Sequence, residues 1–205
     1  MDVSKEISEV EMKAFFQQHS YNIIKMFVNQ FAISLFGIVL AMATLAADSN
    51  ALTVICSLFS IAFYLFLIYT MVWEIGAKDR VAVDYGKKPY HPNTGLWLGL
   101  FANLPNLFVA ALYTVGYPFM ETQKWAGNMN FILNWISAII EGMYRGLLSL
   151  ITLPNGRMLV HEWWTYFLIV LPALVAAWLG YLAGFKNFRM LASYFNKKAE
   201  EEKKN

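Results

Sequence analysis

Long uncharged stretches separated by short polar interruptions set the pattern of this chain. Four stand out: between Lys25 and Asp48, between Asp48 and Glu74, between Lys88 and Glu121, and between Glu162 and Lys186. A helix rises about 1.5 Å per residue and needs about 20 apolar residues to cross about 30 Å of hydrocarbon, so each stretch is long enough to span a bilayer. The predicted spans are residues 24–47, 50–73, 95–117 and 163–185, within a single polytopic domain at 22–187. Only Ala47-Asp48-Ser49-Asn50 separates the first two, a turn composition that predicts a tight antiparallel helical hairpin.

Residues 1–20 alternate differently. Val3, Ile7, Val10, Ala14 and Phe15 recur at helical spacing among Lys5, Glu6, Glu9, Glu11 and Lys13, which predicts a short amphipathic helix ahead of the first span. The acidic residues argue against a secretory leader, although Ala41-Met42-Ala43 fits the small-residue cleavage pattern. Residues 188–205 form a polar, Lys- and Glu-rich tail. The loop at 74–94 is the longest polar stretch between spans. Val81, Val83 and Tyr85 alternate with Ala82 and Asp84 there, a pattern that suits a short strand or turn before Gly86.

Residues 128–153 are the ambiguous segment. Asn130, Asn134, Ser137, Glu141, Arg145 and Ser149 recur every three or four residues as one narrow polar stripe on an otherwise apolar helix. Its Phe, Ile and Leu residues favour insertion, whereas Arg145 near its centre opposes it by about 2.5 to 3.5 kcal/mol and an ionised Glu141 by a similar amount. The balance is near zero. Glu141 and Arg145 are four apart and can pair on one helix face.

Charge placement arbitrates. Of 205 residues only 15% are charged, against about 25% in soluble proteins, while 58% are hydrophobic. Sixteen Lys and Arg against 14 Asp and Glu leave a formal charge of +2, which excludes a basic nucleic-acid binder. If the ambiguous segment does not cross, 13 of the 16 basic residues share one face with both termini, and the positive-inside rule makes that face cytoplasmic. If it crosses, the asymmetry vanishes. The sequence therefore predicts an all-α integral membrane protein of the plasma membrane, with four transmembrane helices and both termini cytoplasmic. An amphipathic or re-entrant helix occupies about 129–152; five spans are the alternative. Trp73, Trp125, Trp163 and Trp164 fall near span ends, where indole rings favour the headgroup layer.

Candidate chemistry is sparse. Asn103-Leu104-Pro105-Asn106 places two amides around a helix breaker near the middle of the third span. Pro105 lacks a backbone donor, and broken helices of this kind line sites in transporters, so Asn103, Pro105 and Asn106 are candidate substrate-binding residues. A simple kink with the amides bonded to neighbouring helices is the plainer reading, and Pro172 in the last span reads as a kink alone. Glu141 and Arg145 are the other candidates, as an ion pair lining a polar vestibule if buried. His161-Glu162 offers two ligand-type residues but not a metal motif, because Thr165 stands where HExxH needs His. Lone Cys56 excludes an intramolecular disulfide framework. Catalytic triads, phosphate-binding loops and nucleotide fingerprints are missing, so no cofactor, metal or nucleic acid is expected.

Gly95 with Gly99, Gly142 with Gly146, and Gly180 with Gly184 have the spacing of close helix approach, within the bundle or between copies. Lys78, Arg80, Lys87 and Lys88 could meet a protein partner or anionic lipid. The leading functional expectation is a non-enzymatic accessory or assembly subunit of a larger membrane system, with the bilayer and a protein partner or second copy as its contacts. An oligomeric small-solute transporter or channel built around Asn103, Pro105, Asn106, Glu141 and Arg145 is the alternative. A lipid-modifying enzyme using Glu141, His161 or Glu162 is the third.

Overall fold

The computed structural model describes residues 3–188. Its elements are α1 (Val3–Ala46), α2 (Asn50–Asp84), α3 (Thr94–Ala102), α4 (Leu104–Gly116), α5 (Lys124–Ile140), α6 (Gly142–Leu150), α7 (Thr165–Leu168) and α8 (Leu171–Phe185). A lone bridge between Thr152 and Met158 is the sole β-pairing among the described residues. The chain is an all-α membrane protein. Three helical segments, Met12–Thr44, Asn50–Asp84 and Thr165–Phe185, are long and apolar enough to cross a bilayer, and α3 with the helix after it, bent by 55°, makes a fourth when the pair is taken as one broken span.

Helices α1 and α2 form the expected hairpin. Asp48 turns the chain with a left-handed φ of 48°, and the Ser49 hydroxyl accepts from the Leu52 N–H to cap α2. Both helices are much longer than a bilayer is thick. At 44 and 35 residues they run about 66 and 52 Å, so their far ends project beyond about 30 Å of hydrocarbon. This corrects two expectations. The amphipathic stretch at 1–20 is, from Val3 onward, continuous with the first span, and the loop at 74–94 is helical as far as Asp84. With no Pro or helix-breaking turn between Glu74 and Asp84, and an Arg80–Asp84 pair one turn apart, the helix simply continues. Val81 and Val83 are helical rather than extended, and Gly86, at φ 67°, ends the element. The tail from 189 onward lies outside the described residues.

Backbone approach sets helix order. A Cβ on Gly180 would lie 2.6 Å from the Tyr69 carbonyl oxygen, and one on Gly184 would collide with that of Trp73. Helices α2 and α8 therefore touch backbone to backbone and run parallel. Gly95 and Gly99 abut Ala177 in the same way, placing α3 antiparallel to α8. Helix α8 begins at Leu171, with Pro172 in its first turn, where a missing N–H costs nothing.

The ambiguous segment is two helices. Near its start, Asn130 meets Gly116 at the end of the bundle carrying Asp48. The Ile140 carbonyl then accepts from Gln30, well down α1, and the chain breaks at Glu141. Helix α6 climbs back: Gly142 abuts Ser34 and Ile38, whereas Gly146 abuts Ser57 near the Asp48 end. The α5–α6 pair is thus a re-entrant hairpin whose tip, Glu141, reaches about 20 Å along α1 from the Asp48 turn.

Two outcomes test this arrangement. In a Cys56→Ser background, cysteines at Gln123 and Asn155 are expected to label from one side of the membrane and one at Lys87 from the other; labelling of Gln123→Cys and Asn155→Cys from opposite sides would replace the hairpin with a fifth span. Gly184→Val is expected to cost about 1–3 kcal/mol through overpacking against Trp73, whereas Leu179→Ala on the exposed face of α8 stays within about 0.5 kcal/mol, both read by thermal unfolding in detergent.

Candidate functional site

Each helix break is built by the residues around it. At the first, Asn103 lies between α3 and α4 and is 1% exposed. Its side-chain Nδ2 donates to the Gly99 carbonyl at 2.9 Å, and its Oδ1 accepts from Asn106 Nδ2 at 2.9 Å. Pro105 occupies the first turn of α4, so its missing N–H interrupts no ladder. The two amides thus serve the break itself, as the plainer reading has it. One group is left over: Asn106 Oδ1 is buried without a hydrogen-bond partner.

At the second break the Gly142 N–H donates to Ser34 Oγ on α1, so the deepest exposed amide of the hairpin is satisfied by a neighbouring helix. Glu141 is 6% exposed and Tyr144 next to it is also buried, its hydroxyl unpartnered. The Tyr144 ring meets Tyr64 edge-on at 6.3 Å, and the Tyr64 hydroxyl lies within hydrogen-bonding reach of Asn103. Asn106, Asn103, Tyr64, Tyr144 and Glu141 therefore form one buried polar column connecting the two breaks.

Glu141 and Arg145 do not pair. Because the helix breaks at Glu141, the two residues lose the i,i+4 register of a continuous helix. Arg145 instead reaches across the hairpin, donating from Nη2 to Asn134 Oδ1 at 2.9 Å and from Nη1 to the Asn134 carbonyl at 3.3 Å. No carboxylate lies within 4 Å of Arg145 among the described residues. The two side chains do line one small cavity of about 10 Å³, with Ser137 and Tyr166, a space on the scale of one water molecule.

Above Arg145 a larger pocket of about 500 Å³ opens toward the Asp48 end. Tyr113, Phe131, Trp135 and Met120 form its apolar wall, and Arg145, Asn130, Asn134, His161 and Glu121 its polar part. Asn134 also donates to the Tyr166 hydroxyl at 3.1 Å, which in turn donates to the Val160 carbonyl at 2.9 Å. At the rim Arg157 pairs with Glu121 and donates to the Tyr117 hydroxyl at 2.9 Å; Tyr117 donates to the buried Glu162 at 2.8 Å. Glu162 is thereby held by Tyr117 and Asn155.

All six spaced glycines sit against helices of their own chain: Gly95 and Gly99 on α8, Gly142 on α1, Gly146 on α2, and Gly180 and Gly184 on α2. Sequence reasoning marked the stripe of Asn130, Asn134 and Ser137 but missed Tyr64, Tyr144 and Tyr166. Nothing in the spacing of tyrosines within apolar runs separates a buried hydroxyl from one at the headgroup layer. It also missed a second cluster at the opposite end, where Lys88 Nζ meets buried Asp79 at 2.7 Å and Tyr181 donates to the same carboxylate at 3.0 Å, with buried His19 close by.

Compared with protein-family models, curated proteins and solved structures, the chain matches none.

Partial burial and the neighbouring Arg145 hold the His161 imidazole below its ordinary 6.5, against a smaller opposing pull from Glu162. A depressed native value means the folded state binds its proton less readily than the unfolded chain. The stabilisation is complete above about pH 6.5 and is lost as pH falls through the lower native value. Thermal midpoints in detergent are therefore expected to decline between pH 7.5 and 5.5, and His161→Gln to remove part of that decline. An unchanged pH profile in the variant would show that His161 contributes nothing to it.

Proposed function

We propose that this protein handles a small solute in the membrane, as a transporter or channel whose path runs from the Asp48 end along the re-entrant hairpin to Glu141. One observation carries the reading. Two independent helix breaks bury Asn103, Asn106, Tyr144 and Glu141, bridged by Tyr64, with Asn106 Oδ1 and the Tyr144 hydroxyl lacking partners. Buried polar groups cost free energy when unpaired, and ionisable residues at membrane depth are characteristic of solute and ion pathways. Broken helices meeting near mid-depth are a recurrent way to build such a site.

An accessory role finds its support in the lack of a catalytic constellation, and the spaced glycines, being occupied within the chain, add nothing to it. The excess of Lys and Arg at the Lys88 end supports a cytoplasmic location for that end, which puts the pocket on the opposite face.

Proteoliposomes offered a panel of radiolabelled organic acids, amino acids and sugars should take up at least one faster than protein-free vesicles. Glu141→Gln and Asn106→Leu should each slow that uptake about tenfold, the loss of roughly 1.4 kcal/mol of selective stabilisation. Uptake at the protein-free rate across the panel, together with a partner that stays bound through gentle detergent purification, would return the accessory role to first place.

A further inference from the structure

The pocket above Arg145 combines three properties that together restrict its ligand. The first is charge. Arg145 is half-buried, and its hydrogen bonds go to the carbonyl groups of Asn134, which are neutral. The other charges at the pocket are spoken for: Glu121 is paired with Arg157 at the rim, and Glu162 is bonded to Tyr117 and Asn155. A guanidinium taken partly out of water without a counter-anion is a costly arrangement, offset when an anion binds.

The second is valence. His161 is the nearest other group able to carry positive charge, and its imidazole is held toward the neutral form. One uncompensated cation balances one negative charge, which suits a monoanion better than a phosphate dianion. The planar fork of the guanidinium matches a carboxylate in two-point contact, and Arg145 has N–H groups left after its two bonds to Asn134.

The third is shape. About 500 Å³ lies within the range of small-molecule sites, and Tyr113, Phe131 and Trp135 give the pocket an aromatic wall beside the Arg145 guanidinium. Phe131 and Trp135 are also 65% and 58% exposed on the face of α5, so the wall continues toward the surrounding lipid.

We infer that this pocket binds an organic monocarboxylate with an apolar body, its carboxylate on Arg145 and its body against Phe131 and Trp135. The inference rests on the reading of the α5–α6 hairpin as a solute site, and names the class of solute. The same chemistry has two sources, a water-soluble acid entering from the aqueous face and a fatty acid entering from the bilayer along the exposed face of α5.

Calorimetry on the full chain in nanodiscs, with benzoate, decanoate and inorganic phosphate as probes, separates these cases. Benzoate or decanoate is expected to bind at one site, and phosphate at least tenfold more weakly. Preference for benzoate identifies the aqueous source and preference for decanoate the bilayer source, and either supports the assignment. Arg145→Gln should weaken carboxylate binding at least thirtyfold. Because Arg145 also ties the hairpin legs together, Trp135→Ala serves as a second variant: its side chain is mostly exposed, and it should weaken binding about fivefold without lowering the thermal midpoint. Binding of neither carboxylate, phosphate binding as tight as benzoate, or Trp135→Ala and a folded Arg145→Gln that both bind like the parent would each overturn the inference. Carboxylate binding without any flux in proteoliposomes would leave this site standing and remove the transport reading. Flux of a neutral or cationic solute that Arg145→Gln leaves unchanged would do the reverse.

Discussion

No backbone N–H or C=O can be left unpaired in hydrocarbon, and in this protein that constraint is met at the tip of the re-entrant hairpin by a side chain from another helix. The Gly142 N–H, first in a helix that starts inside the bundle, is taken by Ser34 Oγ. The Gly99 carbonyl, near the last turn of α3, accepts from both the backbone N–H and the side-chain amide of Asn103. Without the first bond the α5–α6 hairpin could not end where it does, and Glu141 would have no reason to lie deep. The depth of Glu141, and with it the polar column, hangs on that bond.

Close approach makes the Gly142–Ser34 bond possible. Gly142 lets α6 come within 2.6 Å, Cβ position to carbonyl oxygen, of Ser34, and Gly37 on α1 gives the same freedom from the other side, its Cβ position lying 2.6 Å from Met143 Cα. Two glycines facing each other bring the backbones near enough for a serine hydroxyl, one of the shortest donors and acceptors available, to reach the amide. The same device holds α8 on α2 through Gly180 and Gly184, but there it closes an apolar seam with no break to satisfy. One half of the bundle is consequently a plain helical scaffold, and the other carries the hairpin and the pocket.

The scaffold was legible in the sequence and the depth of the breaks was not. Uncharged length locates the four spans, since the cost of charge in hydrocarbon leaves little freedom. Helix beyond the membrane is invisible to that test: Glu74, Lys78, Asp79 and Arg80 interrupt hydropathy but not helicity, so the span expected at 50–73 stops eleven residues short of the end of α2. At Glu141 the reverse occurs. The polar stripe runs through Ser137, Glu141 and Arg145 at unbroken helical spacing, and only the neighbouring Gly142 hints at a stop. Once the break is present, Arg145 exchanges Glu141 for Asn134, a partner eleven residues away that period arguments do not select. Tyrosine hydroxyls acquire meaning only when two helices bring them together, as Tyr64 and Tyr144 show.

The polar column does not traverse the bundle. Below Tyr64, helix α2 presents Ile68, Val72 and Ile75, all buried, and Met26 and Leu98 close in from α1 and α3. This apolar layer spans about 10 Å along α2 before the next polar group, Asp79, is reached. Asp79 is itself bound by Lys88 and Tyr181, so the far end is sealed twice, by a dry layer and by a buried ion pair. Opening it requires separating charges that have little water to receive them, which costs several kcal/mol unless new partners are supplied. The pocket end has no comparable seal, because its rim pair of Arg157 and Glu121 is solvent-exposed, and water and salt screen exposed pairs of this kind. The large pocket therefore opens toward the Asp48 turn, and Glu141 lies beyond Arg145 in a separate cavity the size of one water molecule.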